Sequence, residues 1–260
     1  MAEPSRAPRR INLSKSIIET WHRCRLAYRY ERVDRLPPDD EPSRALIMGG
    51  AAHEAVAALL KAGIDPDSGG ALERIEEVTD GYALDDADAD KVSGWAVTAA
   101  RYALDRGGTL RWIESLLVMQ RLREIPVWGK FDAAIVGGSV APLEVIDWKF
   151  GRAHARTPED LAASVGPHVY RLLAGHCEPD ATLRPIAITE FHVPSGTEVT
   201  ISPADDAVEQ WWSELKDVAA EIRTAHAADT FPATPGIHCA WCSYRDRCPV
   251  AGAVSDQPPL

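Results

Sequence analysis

The sequence predicts an α/β or α+β fold in which a central mixed β-sheet is flanked by helices. Three observations lead there. The chain has 260 residues, of which 45% are hydrophobic, enough for a buried core. Helical periodicity fills roughly its first hundred residues and returns near the end. Between them lie short β-branched and aromatic runs bounded by Gly and Pro.

In chain order, Ser16 and Glu19 form the pattern of a capping box opening a helix through about Val33, with Ile17, Trp21, Cys24 and Tyr28 on one face. After the breaker "PPDDEP" a second helix is expected from Arg44 to Lys61. Helical patterns resume at Ala71–Glu77 and Lys91–Arg106, around the acidic stretch "DDADAD" (Asp85–Asp90), which reads as a solvated loop. Three strands follow: "RWIESLLVM" (Arg111–Met119), "VWGKFDAAIV" (Val127–Val136) and "LEVIDWKF" (Leu143–Phe150). Thr157 before Pro158, Glu159 and Asp160 marks a helix start, and "GPHVYRLLAG" reads as a short helix. "IAITEFHVP" is a fourth strand and "TEVTIS" a fifth, before a long helix over Ala204–Ala228. The division expected is a helical region over 1–106, a core over 107–230 and a cysteine-bearing tail over 231–260.

The net charge of −11 argues against a passive coat on nucleic acid, though a local basic groove is compatible with it. Between Arg9 and Arg35 eight basic residues stand against three acidic ones (Arg9, Arg10, Lys15, Arg23, Arg25, Arg29, Arg32 and Arg35 are the basic ones), either a solvated helix face or such a groove. No signal peptide and no bilayer-length apolar run is read, so a cytoplasmic protein with no membrane contact is expected. P-loop and G-x-S-x-G motifs are absent. "DDADAD" also lacks the glycine and final glutamate of a calcium loop. Trp211 and Trp212 fit core packing better than base stacking.

Two clusters carry chemistry. In "VIDWKF" strand alternation puts Asp147 and Lys149 on one face, which alone reads as a simple ion pair. If "GGSVAP" turns the chain back, Asp132 converges on Asp147, and two carboxylates at one point call for a cation between them. Such carboxylates choose Mg²⁺ or Mn²⁺, and a lysine alongside can position water and offset phosphate charge. Glu114 on the preceding strand either adds a carboxylate or is a surface residue. The second cluster is Cys239, Cys242 and Cys248, three thiolates of a metal site whose fourth ligand can be His238 or Cys177. Taken alone, Cys24 on its helix stripe reads as a small buried hydrophobe.

"GKFDAAIV … LEVIDWKFG" resembles the core motif of the PD-(D/E)XK nuclease superfamily, in its RecB-like exonuclease flavour, which is similar to the CRISPR-adaptation exonucleases. The resemblance runs from Ser14 to Pro249. It implies a restriction-endonuclease-like core, with Asp132, Asp147 and Lys149 catalytic and with Asp132, Asp147 and the Trp148 backbone carbonyl ligating Mg²⁺ or Mn²⁺. "MGGAAHEAV" matches the family's G-x-x-x-H-E pattern and implies His53 as a further metal ligand. The Q-x-x-x-Y element that touches DNA in the family is altered: "GPHVYRL" has His168 in place of Gln, and His168 and Tyr170 stand as its nearest DNA-contacting equivalents. In the iron–sulfur branch one cysteine lies far upstream and three close the chain. That implies a 4Fe–4S cluster on Cys24, Cys239, Cys242 and Cys248, clipping the two ends together, with Zn²⁺ the lesser alternative. Cys177 is left over.

The function expected is a metal-dependent exonuclease acting on DNA ends, single-stranded ones above all, in repair, recombination or replication. A recombination or helicase protein is the expected protein partner. The alternatives are an inactive DNA-binding partner that retains the fold, motivated by the altered motif, and a zinc-stabilised interaction module.

Overall fold

The structure is a computed structural model and describes residues 12–119, 126–151 and 156–250; Arg9 and Arg10 lie outside the described residues. Packing divides the chain into two units. One comprises residues 42–119 and 128–210, the other residues 1–41, 120–127 and 211–260.

The first of these carries the sheet. Helices α3 (Arg44–Ala62), α4 (Gly69–Thr79) and α5 (Asp86–Asp105) precede β1 (Thr109–Met119), β2 (Val127–Val136) and β3 (Leu143–Lys149). Helices α6 (Pro158–Ala162) and α7 (Val165–Cys177) then lead to β4 (Ile186–His192) and β5 (Thr197–Ile201). The strands lie in the order β1-β2-β3-β4-β5. Neighbours β2/β3 and β4/β5 are antiparallel while β3/β4 is parallel, so the sheet is mixed as expected. The parallel pair needs a crossover, and α6 and α7 supply it.

Alanines set how closely the helices approach. Ala51, Ala52 and Ala55 of α3 and Ala96, Ala99, Ala100 and Ala103 of α5 are buried in one core with Ile146, Trp148 and Phe191 of the sheet. Small side chains at such a contact shorten the interaxial distance. Among the described residues, α3 alone is long and apolar enough by composition to cross a membrane. It is instead a core helix, with Met48, Val56, Leu59 and Leu60 buried beside the alanines. Gly129 of β2 meets α7 on closer terms still: a Cβ there would stand 2.7 Å from Leu173 Cδ1.

Two expectations are corrected here. "DDADAD" is not a loop. Asp85 is the N-cap of α5, its carboxylate accepting from the Asp88 N–H, and Asp86 and Asp88 fill the first turn. Acids at a helix N-terminus satisfy orphan amides and oppose the dipole, which a reading of the run as solvated charge overlooks. Asp88 is buried, paired with Arg44.

The second correction lies in the other unit, whose N-terminal helix is not continuous. Ser14, not Ser16, caps α1 (Lys15–Arg23). The chain turns extended at Cys24 (φ −163°, ψ 115°) before the short α2 (Arg25–Tyr28) and a π-helical turn over Arg29–Asp34. Cys24 N–H still reaches Thr20 O and Cys24 O accepts from Tyr28 N–H, so the break costs no backbone bond at that residue. Most of α8 (Asp205–Ala228), from Trp211 on, belongs to this unit. There Trp21 Nε1 and Arg25 both bond to Glu221, and Tyr28 stacks on Phe231.

Candidate active site

The β2/β3 ladder runs from Val136↔Leu143 to Ala133↔Ile146 and goes no further. Beyond it the Trp148 N–H donates to Asp132 Oδ2 at 2.7 Å, a side chain replacing the strand backbone. Asp132 and Asp147 are thus brought together where the two strands part. Lys149 Nζ lies 2.5 Å from Asp147 Oδ2, so the two share one face as alternation requires.

Helix α3 brings His53 to this point, its ring edge-on to Phe150 with centroids 4.9 Å apart. His53 Nδ1 sits 3.2 Å from Glu114 Oε1 and 3.5 Å from Asp132 Oδ1. It is buried, yet neither carboxylate meets it with hydrogen-bond geometry. One ligand atom each from His53, Glu114 and Asp132 falls within 4.8 Å of the other two. A buried imidazole nitrogen without a bond, facing carboxylates, is a donor set suited to a hard divalent cation.

Glu114 therefore lies with the cluster, one of the two readings its sequence allowed. Its backbone is left-handed (φ 48°) inside β1, a conformation that costs energy for a non-glycine residue and gathers at functional sites. Lys130 pairs with it from β2. A cleft of about 580 Å³ opens here, lined by Gly50, His53, Glu54, Tyr82, Glu114 and Asp132 among others.

The electrostatics are those of a site built for added positive charge. Burial, then the nearby Asp147, raises the Asp132 carboxyl to about 7. Burial also works against a charged His53, but Glu114, Asp132 and Asp147 outweigh it and hold the imidazole above its usual value. Glu114 is lowered, since His53 and Lys130 overcome its burial. Lys149 is raised, its burial outweighed by Asp147, Asp132 and Glu190.

Glu190 went unnoticed in the sequence. The parallel register sets it opposite Asp147, and Arg156 holds it at 3.1 Å. No local signal marks it, because the pairing is made across a crossover. His168 and Tyr170 lie elsewhere in the same unit and are buried. His168 Nε2 is 2.6 Å from Ala162 O, and Tyr170 packs edge-on against Phe131.

In the other unit, Cys24, Cys239, Cys242 and Cys248 all line one small pocket, with Tyr244 against Cys24. The break after α1 is what turns Cys24 to it. Burial pushes the Cys242 thiol up, against the Tyr244 N–H, and its three cysteine neighbours add to the rise. Thiols that raise one another in this way suit a cation that takes thiolates. Asp39 secures the loop: its N–H donates to Ser243 O, its Oδ2 accepts from Asp246 N–H, and Arg247 pairs with its Oδ1 at 2.5 Å. Cys177 belongs to the sheet-bearing unit and takes no part.

Comparison with known proteins bears on the family and the fold. The family model of the PD-(D/E)XK nuclease superfamily matches residues 12–249. The fold resembles the crystal structure of a candidate exonuclease from Eubacterium rectale, with TM-score 0.54 and 13% identity over 96% of this chain and 91% of that one. A weaker likeness, to the structure of SSO0001, has TM-score 0.43 and 13% identity over 95% and 90%. No curated protein matches the sequence.

Proposed function

Because the chain belongs to the PD-(D/E)XK nuclease superfamily, we propose that it is a metal-dependent DNA exonuclease that hydrolyses phosphodiester bonds at DNA ends, single-stranded ends above all. The observation that carries this reading is the set gathered where β2 and β3 part: Asp132, Asp147 and Lys149, with His53 and Glu114 against Asp132. A nuclease of this superfamily needs an acid pair, a nearby lysine and a cation-binding pocket, and every one of those residues is present.

His53, Asp132 and Asp147 would hold Mg²⁺ or Mn²⁺, with Glu114 as a further acid. The Trp148 carbonyl would join them, leaving its strand on the edge that carries the N–H bonded to Asp132. When bound, the ion would supply charge stabilisation to the phosphate and acidify water for attack. The chain's own groups do the rest. The Trp148 N–H fixes one Asp132 oxygen and leaves the other toward His53. Asp147 holds Lys149 at 2.5 Å, so the ammonium stays charged and aimed at the acids. From there it can orient an attacking water and offset charge building on the phosphoryl oxygens. Cys24, Cys239, Cys242 and Cys248 would carry a 4Fe–4S cluster with a structural role.

The test is cleavage of end-labelled single- and double-stranded DNA with Mn²⁺ or Mg²⁺, using protein prepared without oxygen beside a Lys149→Ala variant. Metal-dependent loss of the end label, absent in the variant, is the expected result. No cleavage of any end by the cluster-loaded protein would sink the reading in favour of an inactive DNA-binding partner.

A further inference from the structure

The cysteine-bearing unit holds a second cleft of about 580 Å³ that the metal chemistry does not use. That size lies within the roughly 300–1,000 Å³ of ordinary ligand clefts. Trp241 lines it with 64% of its surface exposed. The indole stands on a short 3₁₀ turn (Ile237–Trp241) rather than in a core, so its face is open to a ligand. Its placement is not loose: Cys239 and Cys242 on either side both line the cysteine pocket, so the ring is carried on an anchored turn. The exposed Arg23 and Arg35 line the same cleft. Among the described residues neither pairs with a carboxylate; Arg23 donates only to Thr20 Oγ1, at 3.4 Å. The cleft also holds two acids, of which Glu31 is paired with Arg32 at 2.8 Å, leaving Glu19.

We propose that this cleft binds single-stranded DNA, with Trp241 stacking on a base while Arg23 and Arg35 hold the flanking phosphates. An anchored aromatic face beside unpaired guanidinium groups is the arrangement by which proteins grip single strands. A duplex keeps its bases stacked on one another and offers Trp241 no face, which selects the single strand. Glu19 suits a base amino group, as carboxylates accept from such donors. The identity of the ligand rests on the nuclease reading; of the residues lining the site, Cys242 alone is also one of the clustered cysteines, and none belongs to the His53, Glu114 and Asp132 group. It also gives the cysteine cluster a second consequence, since losing it frees the turn that holds Trp241.

The experiment uses the full-length, cluster-loaded protein, a fluorescent thymidine 12-mer and no added divalent ion, so that binding is read without cleavage. Trp241→Ala is expected to weaken binding roughly tenfold, and Trp241→Phe to keep most of it. Arg23→Gln with Arg35→Gln should lower the slope of log affinity against log salt by about 0.7 for each phosphate that is no longer neutralised. Mn²⁺ affinity and visible cluster absorbance should stay as in the wild type. Equal binding by Trp241→Ala and wild type, or an unchanged salt slope in the arginine pair, would overturn the proposal, as would no binding by the wild type. The two readings fail separately. Cleavage with unchanged Trp241→Ala binding removes this site and leaves the nuclease. Trp241-dependent binding without any cleavage keeps the site and removes the nuclease.

Discussion

The Trp148 N–H donates to Asp132 Oδ2 at 2.7 Å, at the place where the β2/β3 ladder has just ended. A carboxylate there does structural work as well as carrying charge. Asp132→Asn keeps an oxygen to accept that bond while removing a buried charge that Asp147 opposes. The expected outcome is a metal-free Tm equal to or above wild type at pH 8, with the Mn²⁺-induced rise in Tm abolished. Thermal unfolding with and without Mn²⁺ checks it; an unaltered metal response would place the cation elsewhere.

Glu114 gives the next test, because its left-handed backbone and its pairing with His53 and Lys130 mark it as a working residue. Glu114→Gln should cut Mn²⁺ affinity by roughly ten- to a hundredfold, the usual cost of disturbing a group that orients a ligand. Calorimetric titration measures it. A surface glutamate would give no change.

Much of this was legible in the sequence because it is local. Asp147 and Lys149 share a face by alternation alone, and His53 lies in a short motif. What could not be read depends on long-range register or on backbone conformation. Glu190 meets Asp147 only through a parallel pairing closed by α6 and α7. Glu114 enters the cluster from within a strand at positive φ, which no alternating pattern foretells. The Cys24 break sits inside an unbroken helical periodicity, since Ile17, Trp21, Cys24 and Tyr28 are all buried despite it. Asp39 lies in a loop that reads as a plain chain breaker, yet it secures the cysteine loop.

The raised Asp132 carboxyl sets a pH dependence. With its folded value about 7 and its ordinary value 3.8, the folded metal-free protein holds an extra proton between those limits. Stability from this group is therefore full below pH 4 and is lost as pH rises through 7. The raised His53 acts in the same direction, while the lowered Glu114 contributes stability that is lost as pH falls through its folded value. A cation competes with the proton on Asp132, so Mn²⁺ affinity should climb as pH rises toward 7, with proton release on binding. Calorimetry at pH 6 in buffers of different ionisation enthalpy reads that release directly, and none at all would contradict the assignment.

Lys149 is aimed at the acids and lies off the hydrophobic core, so its loss should be a loss of rate. Lys149→Ala should lower kcat by roughly a hundred- to a thousandfold, the scale seen when one stabilising donor is removed. Tm should barely move, since the side chain is one-third exposed. Single-turnover cleavage beside a thermal melt separates the two effects; a matching fall in Tm would mean the lysine is structural.

The last prediction concerns the thiols. Cys24 shares one pocket with Cys239, Cys242 and Cys248, and a ligand shared by distant segments stabilises the fold that brings them together. Cys24→Ser should strip iron and sulfide from protein prepared without oxygen. It should lower Tm by more than the roughly 2–4 °C that one kcal/mol represents in a chain this long. Asp39→Ala should weaken retention of iron in the same direction by freeing the loop it pins, whereas Cys177→Ser should leave content and Tm alone. Iron and sulfide assays beside the melts check all three. Zinc recovered without iron from the wild type would replace the cluster with a mononuclear site, and Cys24→Ser at full iron content would exclude Cys24 as a ligand.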